Sequence, residues 1–504
     1  MFLRDDFLDS TCYKSKLYCV RKAAPEKEQL MTSDNLLTAF GIMYLTGYLS
    51  PANKRLFWEN REDVQNLFVK KAMARNTFED VIKYVYFVEP EEQNNRDAFW
   101  KVRPLFEQIN NTAQQLISQP EFVSIDETII RYFGPHPLKQ AIRDKPERFG
   151  WKVWCMAAPT GELLACQPYA GAKTLIADVG LGQGPNVVYG LATQFGLKEG
   201  SKVACDNLFT SFDLLDHMAD KGWGVVGTVR QNRLVGVPLP DKKQARKEMS
   251  RGAIKSTHTD NVTLTAWKDS QAVYMASNFI GPDPVGQCQR YSGDAQEYVS
   301  VPCPKSVLIY NKVMGGVDLV NQSTKNYAIT TRQRKWYWSL ITWFLNVQMI
   351  QAWRLYRSTF KNRHALAMQE EDREVEERIA AIDRNNHFKQ EQMRKEREED
   401  KRKKRKEEKK VEEISLLNFV RECVEMLLMQ HSDHKNPTIH QREAAAHPST
   451  STRLALRYDM TKPHLLIRTE ICGVCQECRK RSSYRCKTCY VALHPDCIDS
   501  YHSK

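Results

Sequence analysis

The sequence predicts a multidomain α/β protein, with helices flanking a mixed sheet and a small metal-folded module near the C-terminal end. Three observations predict it. Apolar residues recur at helical spacing as far as about residue 120 and then give way to β-branched and aromatic runs. Three carboxylates, Asp126, Asp206 and Asp318, stand at the ends of such runs or on the helical stretch that follows them. Cysteines and histidines crowd the segment 472–502 in CxxC spacing. A chain of 504 residues is also too long for one small core.

Composition narrows the classes. A hydrophobic share of 42% suits globular domains joined by polar stretches. A formal net charge of +13 favours a polyanionic partner, nucleic acid before membrane. No run of 18 apolar residues occurs, so no transmembrane helix is expected. The opening Met1–Ser10 carries early acids and no apolar core, which argues against a secretory signal. Of the fourteen cysteines, the six crowded between Cys472 and Cys497 then read as metal binding in a reducing compartment rather than as disulfides.

Residues 1–120 read as helical. Ser33 is expected to cap a helix through Leu36, Leu37, Phe40 and Met43. Asn76 with Glu79 resembles a capping box ahead of Val81, Ile82 and Val85. Phe99, Val102, Phe106, Ile109, Ala113 and Leu116 form one apolar stripe. From 121 the period changes. Phe122, Val123, Ile125, Ile129 and Ile130 suit a strand that Asp126 should end. Trp151–Ala157 and Glu162–Cys166 read as a hairpin turning at Pro159-Thr160-Gly161. Asn186–Phe195 is a helix closed by Gly196, and Ser201–Cys205 is a strand ending at Asp206. A helix over Phe212–Asp220 and a strand over Val225–Val229 complete a mixed layer.

Residues 231–305 change texture, with prolines, glycines and short runs such as Val262–Trp267 and Ala272–Ala276, and predict a β-rich insertion. Helical character resumes around Asp318. Thr331–Trp338 should open a long helix with Trp336, Leu340, Trp343, Val347 and Ile350 on one face. The stretch 369–413 is almost wholly charged or Gln, so a solvated helix or linker is expected, with Lys401–Lys406 as a nuclear-localisation candidate. Ile414–Met429 is a short amphipathic helix, and 431–465 is polar.

The terminal cluster is the most specific local signal. Cys475, Cys478, Cys486, Cys489, His494, Cys497 and His502 are seven ligands, one short of two tetrahedral zinc sites, and Cys472 is the obvious eighth. The spacing to Cys486 favours Cys475 with Cys478 as the first pair, leaving Cys472 free or completing a site from outside. So small a cross-braced module has too little apolar core to fold without Zn²⁺. Its Arg479, Lys480, Arg481 and Arg485 are candidate DNA contacts.

Two acids ending strands of one sheet, with a third on a packed helix, give the layout of an RNase H-like fold. An acid inside an apolar strand is costly unless it is paired or holds a metal. Three convergent carboxylates, about 4–8 Å apart, suit two divalent ions in phosphoryl transfer.

At these residues the chain resembles the piggyBac-type DNA transposases and their domesticated relatives. The motifs are Ser124–Glu127, Lys145-Pro146 through Gly150–Lys152, Asp206–Ser211, Gly227–Arg233, Ala276–Asn278, Tyr310–Asp318, Arg334–Trp338 and the cysteine cluster ending at Tyr501-His502. The likeness covers about 30–357 and 470–504. It implies a DDD catalytic core with Asp126, Asp206 and Asp318 holding Mg²⁺ or Mn²⁺, nicking and hairpin formation at transposon ends, and joining at TTAA sites. It further implies a helical dimerisation and DNA-binding region with Arg332, Arg334 and Lys335, a β insertion, a cysteine-rich end-binding domain, a homodimer and a nuclear location. Two features depart from the pattern. Many members carry a fourth acid where this chain has Asn321, and members often have a longer N-terminal extension, which points to a domesticated, non-catalytic DNA-binding protein as the alternative.

The expected organisation is a helical region over 1–120, core over 121–230, insertion over 231–305 and core again over 306–327. A second helical part over 328–368, a charged segment over 369–413, a short helix and linker over 414–465 and the zinc domain over 466–504 follow.

Overall fold

The computed structural model describes residues 5–89, 96–143, 146–293, 295–380, 391–400, 403, 414–429, 466–478, 480–486, 489 and 491–502. Side chains of 360–372, 374–380 and 467–474 are also outside the description, as are most of the candidate nuclear signal and Arg479. The chain divides into two compact units, Met1–Met429 and Gln430–Lys504.

The first unit begins with helices α1 (Asp5–Arg21), α2 (Ser33–Tyr48), α3 (Leu67–Ala72), α4 (Arg75–Tyr84) and α5 (Arg103–Leu116). The cap of α2 is Thr32, one residue before the expected Ser33; its side chain accepts from the Asn35 amide. Ser33 instead bonds back to Asp9 of α1. The expected box at Asn76 does not form, since α4 already starts at Arg75 and Glu79 is held by Arg55 at 2.6 Å. The α5 stripe is buried at Leu105, Phe106, Ile109 and Ala113.

The sheet follows: β1 (Phe122–Arg131), β2 (Gln140–Ala141), β3 (Phe149–Ala157), β4 (Leu163–Pro168), β5 (Lys202–Cys205), β6 (Gly224–Thr228), β7 (Ile254–His258), β8 (Thr263–Lys268) and β9 (Ala272–Ser277). These nine strands run in the order β2-β3-β1-β5-β6-β9-β8-β7, with β4 beside β3. The ladders β1–β5 and β5–β6 are parallel, and β1–β3 and β6–β9 are antiparallel. Helices α6 (Gln183–Phe195) and α7 (Phe212–Ala219) carry the crossovers, while α8 (Lys242–Glu248) precedes β7. The α6 helix ends where Gly196 takes φ 78°, a left-handed closure that glycine allows cheaply. The β-rich stretch therefore does not stand apart: β7, β8 and β9 extend the central sheet. Within that stretch, among the described residues, β10 (Gly286–Ser292) and β11 (Glu297–Cys303) form a ladder apart from that sheet.

Both faces of this sheet are covered. Along β3, Val153, Cys155 and Ala157 enter the core shared with the helical region, and Trp154 and Met156 enter a second core with α6 and α7. Along β1, Val123 and Ile125 face the second core and Ile130 the first. Asp126, in phase with Ile130, thus faces the helical side.

That side is closed by α9 (Lys305–Val313), α10 (Gly316–Lys325), α11 (Trp338–Ala380) and α12 (Leu416–Met429). The long helix starts at Trp338 rather than Thr331. Tertiary contacts hold the preceding residues off helical geometry: Trp336 packs 4.6 Å from His136 and 5.3 Å from Trp151 by ring centroid. The amphipathic α12 packs back on α2, where a Cβ at Gly41 would meet Leu427 at 3.0 Å. Trp353 of α11 donates to the Ile414 carbonyl at its entry.

The second unit is a hairpin of β12 (Leu466–Val474) and β13 (Arg481–Cys486), followed by a short helix over Ile498–His502.

Candidate functional site

The parallel ladder between β1 and β5 closes at Ile125 opposite Cys205, and the next residue of each strand is an aspartate. Neighbouring strands lie about 4.8 Å apart, so the Asp126 and Asp206 backbones are side by side. Asp126 does not end its strand as expected. β1 continues to Arg131 against β3, so Asp126 marks the end of one ladder only. Each carboxylate is anchored by a local amide: Asp126 Oδ1 accepts from Glu127 N at 2.7 Å and Asp206 Oδ1 from Leu208 N at 2.8 Å. The Asp206 carbonyl also accepts from Phe209 N and Thr210 N, turning the chain away from the sheet. Tyr310 of α9 stands near both acids. Burial pushes its hydroxyl well above the usual range, and the charges of Cys205, Asp206 and Asp126 push the same way, against a hydrogen bond with Thr228.

Asp318 lies in the first turn of α10, at an exposed position. That helix lies against β1. A Cβ at Gly316 would sit 2.4 Å from the Ala158 carbonyl oxygen and 2.6 Å from Ser124 Oγ. At the other end Asn321 Oδ1 accepts from Thr128 Oγ1 at 2.8 Å, and Cys155 Sγ donates to the same hydroxyl at 3.4 Å. Val317 and Val320 fill the space between. The helix therefore touches β1 two residues before Asp126 and two residues after it. Asp126 and Asp206 are brought together directly; Asp318 is brought to the same strand through its helix. Sequence reasoning passed over Thr128 and Gly316. The doubled Gly315-Gly316 was the available signal for a close approach.

Among the basic candidates, Arg332 and Arg334 are exposed. Lys335 is turned inward. Its Nζ donates to the Val85 carbonyl at 3.3 Å and lies over the rings of Tyr18 and Tyr337. Burial pulls its ammonium down to about 8, with Lys101 and Lys22 adding to the effect.

In the second unit the ligand atoms of Cys475, Cys478, His494 and Cys497 lie within 4.8 Å of one another, as do those of Cys486, Cys489 and His502. The two groups interleave along the chain, which is a cross-braced arrangement. The Cys₃His group matches a structural zinc site in ligand type and number. Ring orientation is fixed from behind: the second nitrogen of His494 meets the Arg481 carbonyl at 2.9 Å, and that of His502 meets the Ile498 carbonyl at 2.7 Å. Burial pushes the Cys475 thiol up, but hydrogen bonds from the Cys478, His494 and Glu477 backbones outweigh it and hold it at about 6. The second group has three ligands among the described residues; the Cys472 side chain lies outside them. Lys480 and Arg481 are exposed and Arg485 is half-buried.

Among the described residues no helix is long and apolar enough to cross a membrane. A family model described as Transposase IS4 matches residues 1–353. Human piggyBac transposable element-derived protein 3 is 28% identical, over 100% of this chain and 75% of that protein. Human piggyBac transposable element-derived protein 2 is 33% identical over 65% of this chain, which spans 56% of that protein. Among solved structures, the cryo-EM structure of the piggyBac transposase synaptic complex with hairpin DNA matches with a TM-score of 0.63 and 18% identity. That match covers 98% of this chain and 94% of the other, and it shows a shared α/β fold. The chain belongs to the piggyBac-type Transposase IS4 family.

Proposed function

We propose that this chain is a metal-dependent DNA transposase of piggyBac type, with an RNase H-like core in which Asp126, Asp206 and Asp318 hold Mg²⁺ or Mn²⁺. The observation that carries this reading is the pair of aspartates at the same register, where a parallel ladder stops beneath α10. Hard carboxylate oxygens suit such ions, which when bound would activate an attacking oxygen and stabilise the leaving one. The chain's own residues supply position. β3 stiffens β1 beyond Asp126, the Leu208 amide orients Asp206, and the Gly316 contact fixes the height of Asp318 along the strand. Arg332 and Arg334, and in the second unit Lys480 and Arg481, would meet DNA phosphates, and zinc on the Cys/His groups would fold that unit. A homodimer acting in the nucleus at TTAA sites is part of the same proposal.

A second reading, a domesticated DNA-binding protein without catalysis, draws support from Asn321. Its carbonyl oxygen accepts from Thr128, so the position where many members offer a fourth carboxylate is occupied in a structural bond. Incubating the purified chain with TTAA-flanked transposon ends and Mg²⁺ or Mn²⁺ separates the two. Cleavage that disappears in Asp206→Asn supports the enzyme; DNA binding with no cleavage under either ion supports the alternative.

A further inference from the structure

Three lysines from separate parts of the first unit converge on two tyrosine rings. Lys22 Nζ, at the end of α1, lies 5.6 Å from the Tyr18 ring centroid. Lys335 Nζ lies 5.7 Å from Tyr18 and 5.9 Å from Tyr337. Lys101 Nζ lies 5.8 Å from Tyr337 and 5.3 Å from Trp100. The platform is rigid, because Tyr18 stacks on Tyr86 at 4.2 Å with an interplanar angle of 7°. Ring faces attract ammonium groups, but they do not cancel their charge.

Among the described residues, the charges that act on Lys335 and Lys101 are those of neighbouring cations. Lys101 and Lys22 act on Lys335, and Lys22 and Arg21 act on Lys101. Burial pulls both ammonium groups down and the neighbouring cations pull them further. Among the described residues the Val85 carbonyl takes up one donor of Lys335, and an ammonium has three. Lys22 is exposed and Lys101 half-exposed, so the cluster opens to solvent. Like charges gathered this closely favour a dianion or monoanion with several acceptor oxygens.

We propose that Lys22, Lys101 and Lys335 form a phosphate-binding site whose ligand is a backbone phosphate of nucleic acid, beside the Trp100 ring. The backbone as source rests on the DNA-binding reading above; the phosphate chemistry does not. Exposed Arg332 and Arg334, on the segment that carries Lys335, extend the positive surface along which such a backbone would run.

The test compares the full chain with Lys22→Gln/Lys101→Gln, both changed at solvent-accessible ends. Binding of a short DNA duplex is measured against salt, and thermal stability against inorganic phosphate. The expected result is a roughly tenfold weaker affinity at low salt and a log–log salt slope lower by about 0.9 for each phosphate no longer neutralised. Identical slopes and affinities, with no phosphate effect in the wild type, overturn the site. Saturable stabilisation of the wild type alone by inorganic phosphate, with unchanged DNA slopes, keeps the phosphate site and overturns the backbone as its source. A wild type that binds no DNA defeats the nucleic-acid reading, and the phosphate arm then decides the site by itself. Should the double variant fold poorly, lysine acylation of the wild-type chain decides. Protection of Lys22 and Lys101 by DNA supports the site, and unaltered labelling overturns it.

Discussion

Gly316→Ala tests the placement of α10 most sharply. The added methyl would stand 2.4 Å from the Ala158 carbonyl oxygen and 2.6 Å from Ser124 Oγ, where ordinary contact begins at 3.4 Å. The helix start must therefore withdraw from β1 by about 1 Å, since 3.4 less 2.4 leaves 1.0. Both neighbours are unyielding: one is backbone, the other a fully buried serine. Overpacking of this kind costs about 1–3 kcal/mol. Alanine regains up to about 1 kcal/mol of helix propensity over glycine. A net loss of about 1–2 kcal/mol is expected, seen as a lower denaturant midpoint. Gly315→Ala is the internal control. It has nothing within 4 Å and an ordinary φ of −71°, so it should be neutral or slightly stabilising. Asp318 and Asn321 move with the helix, and an error of about 1 Å in a reacting constellation can cost about 100-fold in rate. Metal-dependent cleavage should fall accordingly in Gly316→Ala and not in Gly315→Ala. Equal midpoints for the two variants would refute the close contact, and equal cleavage would separate α10 from the chemistry.

Three further outcomes follow from the same geometry. Asn321→Asp keeps an oxygen for the Thr128 hydroxyl and adds a charge, so Mg²⁺ binding by calorimetry should tighten and cleavage hold or rise; unchanged affinity would put position 321 out of reach of the ions. Zinc analysis of the full chain should return one to two ions per chain (about one for each cross-braced group), and Cys478→Ser should lose one of them and weaken DNA binding, whereas a zinc-free chain under reducing conditions would sink the module. Lys335 ionises at about 8 in the folded chain against 10.5 ordinarily, so between these values the unfolded chain holds the extra proton and stability rises with pH; Lys335→Met should remove that slope without loss of stability near neutrality, and a parallel pH profile would count against the burial of this ammonium.

Much of the fold was legible because it rests on local pattern. The β-branched run at 122–130, the Gly196 stop and the clustering of the seven cysteines and histidines follow local sequence spacing, and each was readable from it. What was not legible depended on distant partners. That β1 runs through Asp126 follows from pairing with β3, whose register no local signal sets. That β7, β8 and β9 join the central sheet depends on β9 pairing with β6 over Val226–Thr228, residues far apart in the chain. Trp336 looked like one stripe of a helix because its spacing to Leu340 is helical, yet its ring is held by His136 and Trp151 from the sheet side. Lys335 was expected as a DNA contact from the family resemblance, and its inward turn was not legible, since the fold supplies the Val85 carbonyl and the two tyrosine faces.

The position of Asp126 gives a physical reason why a carboxylate is tolerated inside a strand. On one side β3 pairs with β1 for six more residues after Ser124 and Ile125, to Arg131, so the backbone there is as rigid as any in the sheet. On the other side β5 stops at Cys205, because Asp206 folds the chain into a turn closed by its own carbonyl and by Oδ1. The acid thus stands at a step in the sheet, where one neighbour is present and the other has just departed. The helix above it is pinned at Ser124 and at Thr128, the two same-face neighbours of Asp126, and by a polar bond at the second of these. A full ladder on both sides would take the acid further from water, at a cost of several kcal/mol or an upward pKa shift. A strand that truly ended at 126 would leave it on a mobile loop. The step avoids both, giving a charged group solvent access on a rigid support, which is what a site that must hold ions at fixed separation requires.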